Sequence, residues 1–219
     1  MPLSYRRFAA PADTDALVGF LTGETWPFHS TPVLDADSVR RRCAEEGPTA
    51  RDSRVFLVRD SGPADAAGKE GGSAELVGLI RLFDLADPAP MFDLRVGAAY
   101  RGRGVGKAAL SWLTHWLFSG FHDIRRIEGT TRQDNVPMRR TFLSCGYVKE
   151  SHYRESWPAA DGNLHDAVGY AILRRDWESG TVTAVDWHDD TAAVRRPDEA
   201  PAAAPAGPTT PEDGPTPGP

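Results

Sequence analysis

Residues 92–118 read FDLRVGAAYRGRGVGKAALSWLTHWLF, and this stretch decides the fold. It begins as an apolar strand, passes through three glycines between Arg101 and Lys107, and continues into a helix with apolar residues at helical spacing. Glycines at a strand-to-helix turn let a ligand approach the backbone, and the helix N-terminus carries a partial positive charge. The stretch therefore predicts an anion site, which the cations Arg101, Arg103 and Lys107 reinforce.

The glycine spacing fits neither of the two familiar nucleotide-binding motifs. A nucleoside-triphosphate P-loop needs a glycine where Arg101 stands and a Ser or Thr where Ala108 stands. The dinucleotide fingerprint needs a third glycine where Lys107 stands. A purely structural glycine turn is the alternative, but three glycines and three cations exceed what a turn requires.

The rest of the pattern predicts an α/β fold with a mixed sheet and helices on both of its faces. Asp13 and Asp35 are predicted to cap the first two helices. A run of antiparallel strands is followed by one strand-helix-strand unit, which accounts for the mixed sheet. Strands are predicted at 5–8, 54–59, 75–83, 91–98, 125–131, 148–157 and 165–173, and helices at 13–21, 35–46, 104–119 and 136–145.

The length of 219 residues fits one domain with appendages. We expect a globular domain over residues 1–180, an extension over 181–194 and a disordered tail over 195–219, because the tail holds eight of the 18 prolines. Residues 60–73, rich in Gly, Ala and charge, are predicted to form a long hairpin loop.

Composition excludes several classes of protein. With 40% hydrophobic residues the chain is not disordered throughout, and no apolar run approaches the roughly 20 residues of a membrane span. No signal peptide is visible, so a cytoplasmic location is expected. The two cysteines, Cys43 and Cys145, provide neither a disulfide framework nor a zinc site. A net charge of −6 argues against nucleic-acid binding and is compatible with a cationic amine as partner.

At its glycine loop the sequence resembles the GNAT superfamily of N-acetyltransferases, whose acetyl-CoA loop reads Arg/Gln-x-x-Gly-x-Gly/Ala. Arg101, Gly104 and Gly106 match that loop. The similarity extends over about residues 3–177, and the order of its segments looks most like the RimJ/RimL-type branch, which includes acetylases of ribosomal-protein N-termini. Other matching residues are Leu94, Arg95 and Val96 before the loop, and Asn135, Gly146 and Tyr147 after it.

The resemblance implies a mostly antiparallel GNAT-like sheet in which a splayed strand pair holds the pantetheine arm of acetyl-CoA. Residues 94–96 would line one side of that wedge and residues 127–130 the other, with no metal involved. Asn135 has a second interpretation as a helix cap. The implied cofactor-binding residues are Leu94, Arg95, Val96, Arg101, Gly102, Arg103, Gly104, Val105, Gly106, Lys107 and Asn135.

Glu128, Asp93 and Tyr153 are the candidates for acid–base chemistry. Glu128 lies in an apolar-flanked strand, where burial would raise its pKa and make it a stronger base. Asp93 is the other candidate for the base. Either carboxylate could instead serve only in a structural salt bridge. Many family members have a catalytic Tyr where Phe142 stands, and a phenylalanine cannot donate a proton. His122 and Cys145 are further possible donors, and Cys145 is more simply a packed thiol at a helix end.

Trp26, Phe28 and His29 lie between the first two helices, in the segment that covers the acceptor site in this superfamily. The two aromatic residues either shape substrate choice or simply pack on the sheet. His29 is either a surface histidine or a base close to neutral pH.

The expected activity is transfer of acetyl from acetyl-CoA to a primary amine, directly within a ternary complex. The acceptor is left open between a protein N-terminus, a lysine and a small amine. A non-catalytic acyl-CoA sensor is the alternative, which Phe142 makes conceivable, and an interaction module using the tail is a third. A homodimer is possible, and neither nucleic acid nor membrane is expected as a partner.

Overall fold

A computed structural model describes residues 1–45, 52–62 and 74–187. Its strands are β1 (Leu3–Arg7), β2 (Arg54–Asp60), β3 (Glu75–Phe83), β4 (Met91–Val96), β5 (Arg126–Arg132), β6 (Val148–Pro158) and β7 (Leu164–Leu173). Its helices are α1 (Thr14–Thr22), α2 (Ala36–Glu45), α3 (Val105–Gly120), α4 (Val136–Ser144) and α5 (Arg174–Ser179), with a 3₁₀ turn at Ala98–Tyr100. The predicted hairpin loop lies mostly, and the predicted tail wholly, outside the described residues.

The strands form a seven-stranded sheet in the order β1-β2-β3-β4-β5-β7-β6. Every neighbouring pair is antiparallel except β4 and β5, which run parallel. The predicted mixed, mostly antiparallel sheet is confirmed. The strands β2 and β3 pair from Arg54↔Leu82 to Asp60↔Glu75, which fixes the expected hairpin.

Each face of the sheet has its own apolar core, since neighbouring residues of a strand point to opposite faces. Val55 and Leu57 of β2 pack with the apolar residues of α1 and α2. Phe56 and Val58 of the same strand pack with the apolar residues of α3 and α4. Helices therefore cover both faces, as predicted.

The parallel strands β4 and β5 form a ladder pair at one position only. Met91 pairs with Glu128, and beyond that point the strands diverge towards their C-terminal ends. The next residues of β4 lead into the glycine loop, and those of β5 lead into α4. The sheet thus opens as a wedge beside the N-termini of two helices.

The predicted caps have different outcomes. The carboxylate of Asp35 accepts a hydrogen bond from the N–H of Ser38 at 2.8 Å, so its capping role is confirmed. The capping role of Asp13 was wrong, because its side chain makes no cap hydrogen bond. Asp13 instead accepts hydrogen bonds from the N–H of Ala9 at 2.8 Å and from the guanidinium of Arg6. The charge-assisted hydrogen bonds from Arg6 and the N–H of Ala9 satisfy this buried carboxylate away from the helix end.

Residues Met1–Val185 form one compact unit. Its C-terminal segment is attached through buried Asp176, whose carboxylate accepts hydrogen bonds from the N–H of Thr183 at 3.0 Å and from its hydroxyl at 2.7 Å. Of the helices described, none is long and apolar enough to cross a membrane.

Candidate active site

The glycine loop connects β4 to α3 through two residues in left-handed conformation. Gly102 has φ +74° and Gly104 has φ +84°, which glycine adopts without steric cost. Gly104 stands at the N-cap of α3 and supplies no side chain there. The cap residue therefore leaves the first-turn N–H groups of α3 available to a ligand.

Glu24, just after α1, holds this loop in place. Its carboxylate accepts hydrogen bonds from the N–H of Ala98 at 2.9 and 2.8 Å and from the guanidinium of Arg101 at 3.3 Å. The Nε of Arg101 also donates to the carbonyl of Val96 at 2.9 Å. Arg101 thus ties the loop to β4 and α1, and it is not a freely available cation.

A cavity of about 350 Å³, here called the loop cavity, lies beside these glycines. Its wall includes two cations, Lys107 and Arg140, and neither forms an ion pair with another described residue. The described wall of this cavity contains no carboxylate. Cations and helical N–H groups facing one space favour a phosphate-bearing ligand. Twelve of its lining residues were predicted at the cofactor or substrate site: Trp26, Phe28, His29, Leu94, Arg95, Val96, Arg101, Gly102, Gly104, Gly106, Lys107 and Asn135.

Two of the predicted cofactor residues lie elsewhere. Val105 is 1% exposed and packs in the core beneath the loop. The guanidinium of Arg103 lies over the ring of Tyr100, 5.6 Å from its centroid.

A second cavity of about 320 Å³, the inner cavity, lies in the wedge itself. Its polar wall holds Asp93, Arg95, His29 and Arg42, together with hydroxyls of Ser and Thr residues. The two cavities adjoin, because they share the lining residues Phe28, His29, Leu94, Arg95, Asn135 and Met138.

His29, Asp93 and Arg95 form a connected group in the inner cavity. The Nε2 of His29 lies 3.0 Å from Oδ1 of Asp93, and the Nε of Arg95 donates to Oδ2 at 3.0 Å. Burial alone would raise the pKa of Asp93, but the hydrogen bond to His29 and the charges of Arg95 and His29 lower it to about 2. Asp93 is therefore a carboxylate at neutral pH, which fixes a proton on the Nε2 of His29.

The segment that carries His29 is anchored on both sides. The indole of Trp26 is 2% exposed and donates to the carbonyl of Leu21 at 2.9 Å. Arg132, at the end of β5, donates to the carbonyl of Pro27 at 3.1 Å and lies over the ring of Phe28 at 5.5 Å. Trp26 packs as its structural interpretation predicts, while Phe28 and His29 face both cavities.

Asn135 both caps a helix and lines both cavities. Its Oδ1 accepts from the N–H of Met138 at 3.3 Å, and its Nδ2 donates to the hydroxyl of Thr131 at 2.9 Å. The second hydrogen on Nδ2 remains available to a ligand.

The other two predicted acid–base residues lie outside the linings of both cavities. Glu128 sits where β4 and β5 still pair, its side chain is 38% exposed, and it forms an ion pair with Arg126 at 2.8 Å. The expected burial of Glu128 is therefore not found. Tyr153 is 56% exposed on β6. Cys145 closes α4, with its thiol 3.6 Å from the carbonyl of Lys107.

Phe142, at the usual position of the catalytic Tyr, is 1% exposed and lines the inner cavity. Its ring stacks on Tyr170 with centroids 4.7 Å apart. It contributes an apolar wall and no proton.

Sequence reasoning missed several lining residues. Pro137, Arg140 and Thr141 of α4 face the loop cavity at helical spacing, a signal that was readable once α4 was placed beside the loop. Arg42 on α2 faces the inner cavity from a distant part of the sequence, and no local motif marks it.

Comparison with known proteins identifies the family. Residues 3–148 match the family described as Acetyltransferase (GNAT) domain. The chain belongs to the GNAT acetyltransferase family. This is a family of acetyl-CoA-dependent N-acetyltransferases, and the predicted recognition of the glycine loop is confirmed at that level.

Solved GNAT structures share the fold at low identity. The spermidine N-acetyltransferase of Vibrio cholerae in complex with CoA and spermine is 16% identical, with a TM-score of 0.65 over 80% of this chain and 98% of that one. A chimera of the Vibrio cholerae enzyme SpeG and hSSAT is 18% identical, with a TM-score of 0.66 over 81% and 99% of the two chains. None of the curated proteins matches the sequence. Within residues 1–45, 52–62 and 74–187, no group of three or more His, Cys, Asp or Glu could hold a metal ion.

Proposed function

We propose that this GNAT protein binds acetyl-CoA in the loop cavity and transfers its acetyl group to a primary amine in the inner cavity. The observation that carries the proposal is that the two cavities adjoin at His29, Leu94 and Arg95. The loop cavity supplies cations and N–H groups for the phosphates, and the pantetheine arm extends from it along Leu94 and Val96 to the opening of the wedge between β4 and β5. The thioester then lies where the acceptor cavity begins.

His29 is the proposed general base, with Asp93 as its positioning residue. Asp93 is the only carboxylate in the described wall of either cavity, and His29 is the only imidazole. With Nε2 donating to Asp93, Nδ1 is the unprotonated nitrogen, and it is buried without a hydrogen-bond partner in the described structure. A buried acceptor without a partner is costly, so an N–H group of the bound amine is a fitting donor to it.

The transfer needs no covalent enzyme intermediate. The amine loses a proton to His29 and attacks the thioester carbonyl, so that the C–N bond forms and the C–S bond breaks. The thiolate of CoA leaves and takes a proton from water, since the described cavity walls contain no Tyr or Cys to supply one. Glu128 and Tyr153 remain alternative candidates that would require movement towards the wedge.

We also propose that the chain belongs to the RimJ/RimL-type branch of the family. The order of glycine loop, Asp-Asn turn and Cys-Gly-Tyr segment supports the RimJ/RimL-type branch. The domain limits at residues 180 and 194, the cytoplasmic location and a homodimer likewise remain predictions.

Calorimetric titration with acetyl-CoA, beside ATP and NAD, tests the cofactor site. We expect acetyl-CoA alone to bind tightly, and the double variant Lys107→Gln/Arg140→Gln to bind it at least ten-fold more weakly, because two phosphate-facing cations are lost. The double variant Arg7→Gln/Arg175→Gln removes the same charge from the surface and should bind normally. Failure of the folded wild type to bind acetyl-CoA would end the proposal.

Turnover separates an enzyme from a sensor. Release of free CoA thiol is measured with a panel of primary amines under saturating acetyl-CoA. Turnover with any of them supports the transferase. Tight cofactor binding without turnover on a broad amine panel would instead favour the acyl-CoA sensor.

A further inference from the structure

We infer that the amine acceptor carries a carboxylate close to its amino group, and that Arg95 and Arg42 bind this carboxylate in the inner cavity. The inference rests on the proposed function and names the chemical class of its substrate. Two sources share this chemistry: a free amino acid, and a peptide N-terminus followed by an acidic residue.

The charges in the inner cavity do not suit a polycation. The described wall contains one carboxylate, that of Asp93, against the guanidinium groups of Arg95 and Arg42. Both oxygens of Asp93 are already engaged, Oδ1 by His29 and Oδ2 by Arg95. No carboxylate is left to pair with a second ammonium group, and the cavity carries a net positive charge with His29 neutral.

Arg95 has a donor that lacks an acceptor. Its side chain is 12% exposed, its Nε is bound to Asp93, and its Nη1 is buried with no hydrogen-bond partner in the described structure. The guanidinium lies 5.3 Å from the ring centroid of Trp26, which holds its plane in place. A fixed, dry guanidinium edge with an unsatisfied N–H is suited to a carboxylate, because charge-assisted hydrogen bonds are strongest where water is excluded.

Arg42 provides a second cation on the α2 side of the same cavity. It lies in the last turn of α2, is exposed, and has no ion pair with another residue of the described chain. Ser30 and Thr31, which follow His29 in the chain, also line this cavity. An anionic group between the two arginines would leave the acceptor amine on the side of His29 and Asp93.

This arrangement separates the chain from one of its structural neighbours. The Vibrio cholerae enzyme was solved with spermine, a polyamine. A polyamine retains at least one ammonium group beside the reacting amine, and that group would face arginines in this cavity. Like charges in one site are repulsive, so we expect polyamines to be poor acceptors here.

Matched acceptors test the inference. The first arm compares free α-amino acids with their amides, and the second compares peptides that differ only in Asp against Asn after the N-terminal residue. Spermidine is assayed beside both. In at least one of the two comparisons, we expect the acceptor with the carboxylate to have a kcat/KM at least ten-fold above that of its neutral counterpart and of spermidine. The comparison that shows this difference tells whether the acceptor is a free amino acid or a peptide N-terminus.

Two substitutions at Arg42 link that preference to the cavity. Arg42→Gln should remove most of the preference through KM, and Arg42→Glu should turn it towards spermidine. Arg41→Gln, which removes a neighbouring exposed cation that does not line the cavity, is the control and should keep the preference.

The failures are distinguishable. Turnover with neutral amines or spermidine as the best acceptors overturns the inference and leaves the proposed transferase intact, as does a preference that persists in Arg42→Glu. Absence of turnover with every amine overturns both.

Discussion

At the scale of single residues, the proposed base His29 and its positioning residue Asp93 can be tested separately. His29→Gln removes the base but keeps a side chain that donates to Asp93, so kcat should fall about 100-fold. Because the pKa of Asp93 is lowered to about 2, that carboxylate is ionised throughout the working range. An acidic limb of the kcat/KM profile above pH 4 would therefore not come from Asp93.

The control for this variant is acetyl-CoA affinity, which should stay within two-fold of wild type. Asp93→Asn should lower kcat more than it raises KM, since it disturbs the protonated nitrogen of His29. A kcat of His29→Gln within a few-fold of wild type would contradict the role of His29 and return attention to Glu128 and Tyr153.

Gly129 gives a stability prediction at the same scale. A Cβ at this position would lie 2.7 Å from Cζ of Phe142 and 3.0 Å from Cε1 of Phe92. Gly129→Ala should therefore destabilise the fold by about 1–3 kcal/mol through overpacking, measured by urea unfolding. Adding Phe142→Leu should recover part of the loss; a neutral Gly129→Ala would show that the two rings are not fixed where the structure places them.

Local sequence predicted the loop residues well and the catalytic ones less well, for physical reasons. Arg101, Gly104 and Lys107 lie within one seven-residue stretch, so a motif contains them, whereas Arg42 reaches the cavity only through packing of α2. Strand alternation places Asp93 and Arg95 on one face of β4, in agreement with the hydrogen bond between them. The sequence did not predict that Glu128 lies at the closed end of the wedge, because the divergence of two strands has no signature in the sequence of either strand.

At the scale of elements, Glu24 transmits the position of α1 to the glycine loop. Glu24→Gln removes the charge opposite Arg101 and weakens the acceptor for the N–H of Ala98. We expect the Kd for acetyl-CoA to rise several-fold by calorimetry with little loss of stability, since the pair is partly exposed. Equal Kd values for Glu24→Gln and wild type would mean that the loop holds its shape without this contact.

Element bounds were predicted within two residues wherever periodicity was strong. The strand over residues 75–83 was predicted as observed. The helix α5 was missed, because Arg174–Ser179 is six residues long and follows β7 without a break. A helix this short has too few turns to show an apolar stripe.

At the scale of the whole molecule, strand order is the property that the sequence did not predict. β7 inserts between β5 and β6, so that the last hairpin joins the sheet through its second strand. Consecutive strands more often lie in sequence order, and only long-range pairing decides between the alternatives. This order leaves β6 at the sheet edge, where Tyr153 is exposed and lies outside the linings of both cavities.

The extent of the folded unit gives a last prediction. The predicted domain ends at residue 180, but Asp176 holds Thr183 through two hydrogen bonds, and the compact unit runs to Val185. A chain truncated after residue 185 should therefore be more stable than one truncated after residue 180, by about 1 kcal/mol for the lost hydrogen bonds. The hydrogen bonds from the N–H and hydroxyl of Thr183 lower the pKa of Asp176 below its usual value of 3.8. The difference in stability between the two chains should therefore be fully present above pH 3.8 and shrink as the pH falls below it. Thermal unfolding of the two chains at pH 7 and pH 3 measures both effects. Equal stability at pH 7 would place the end of the folded unit at residue 180.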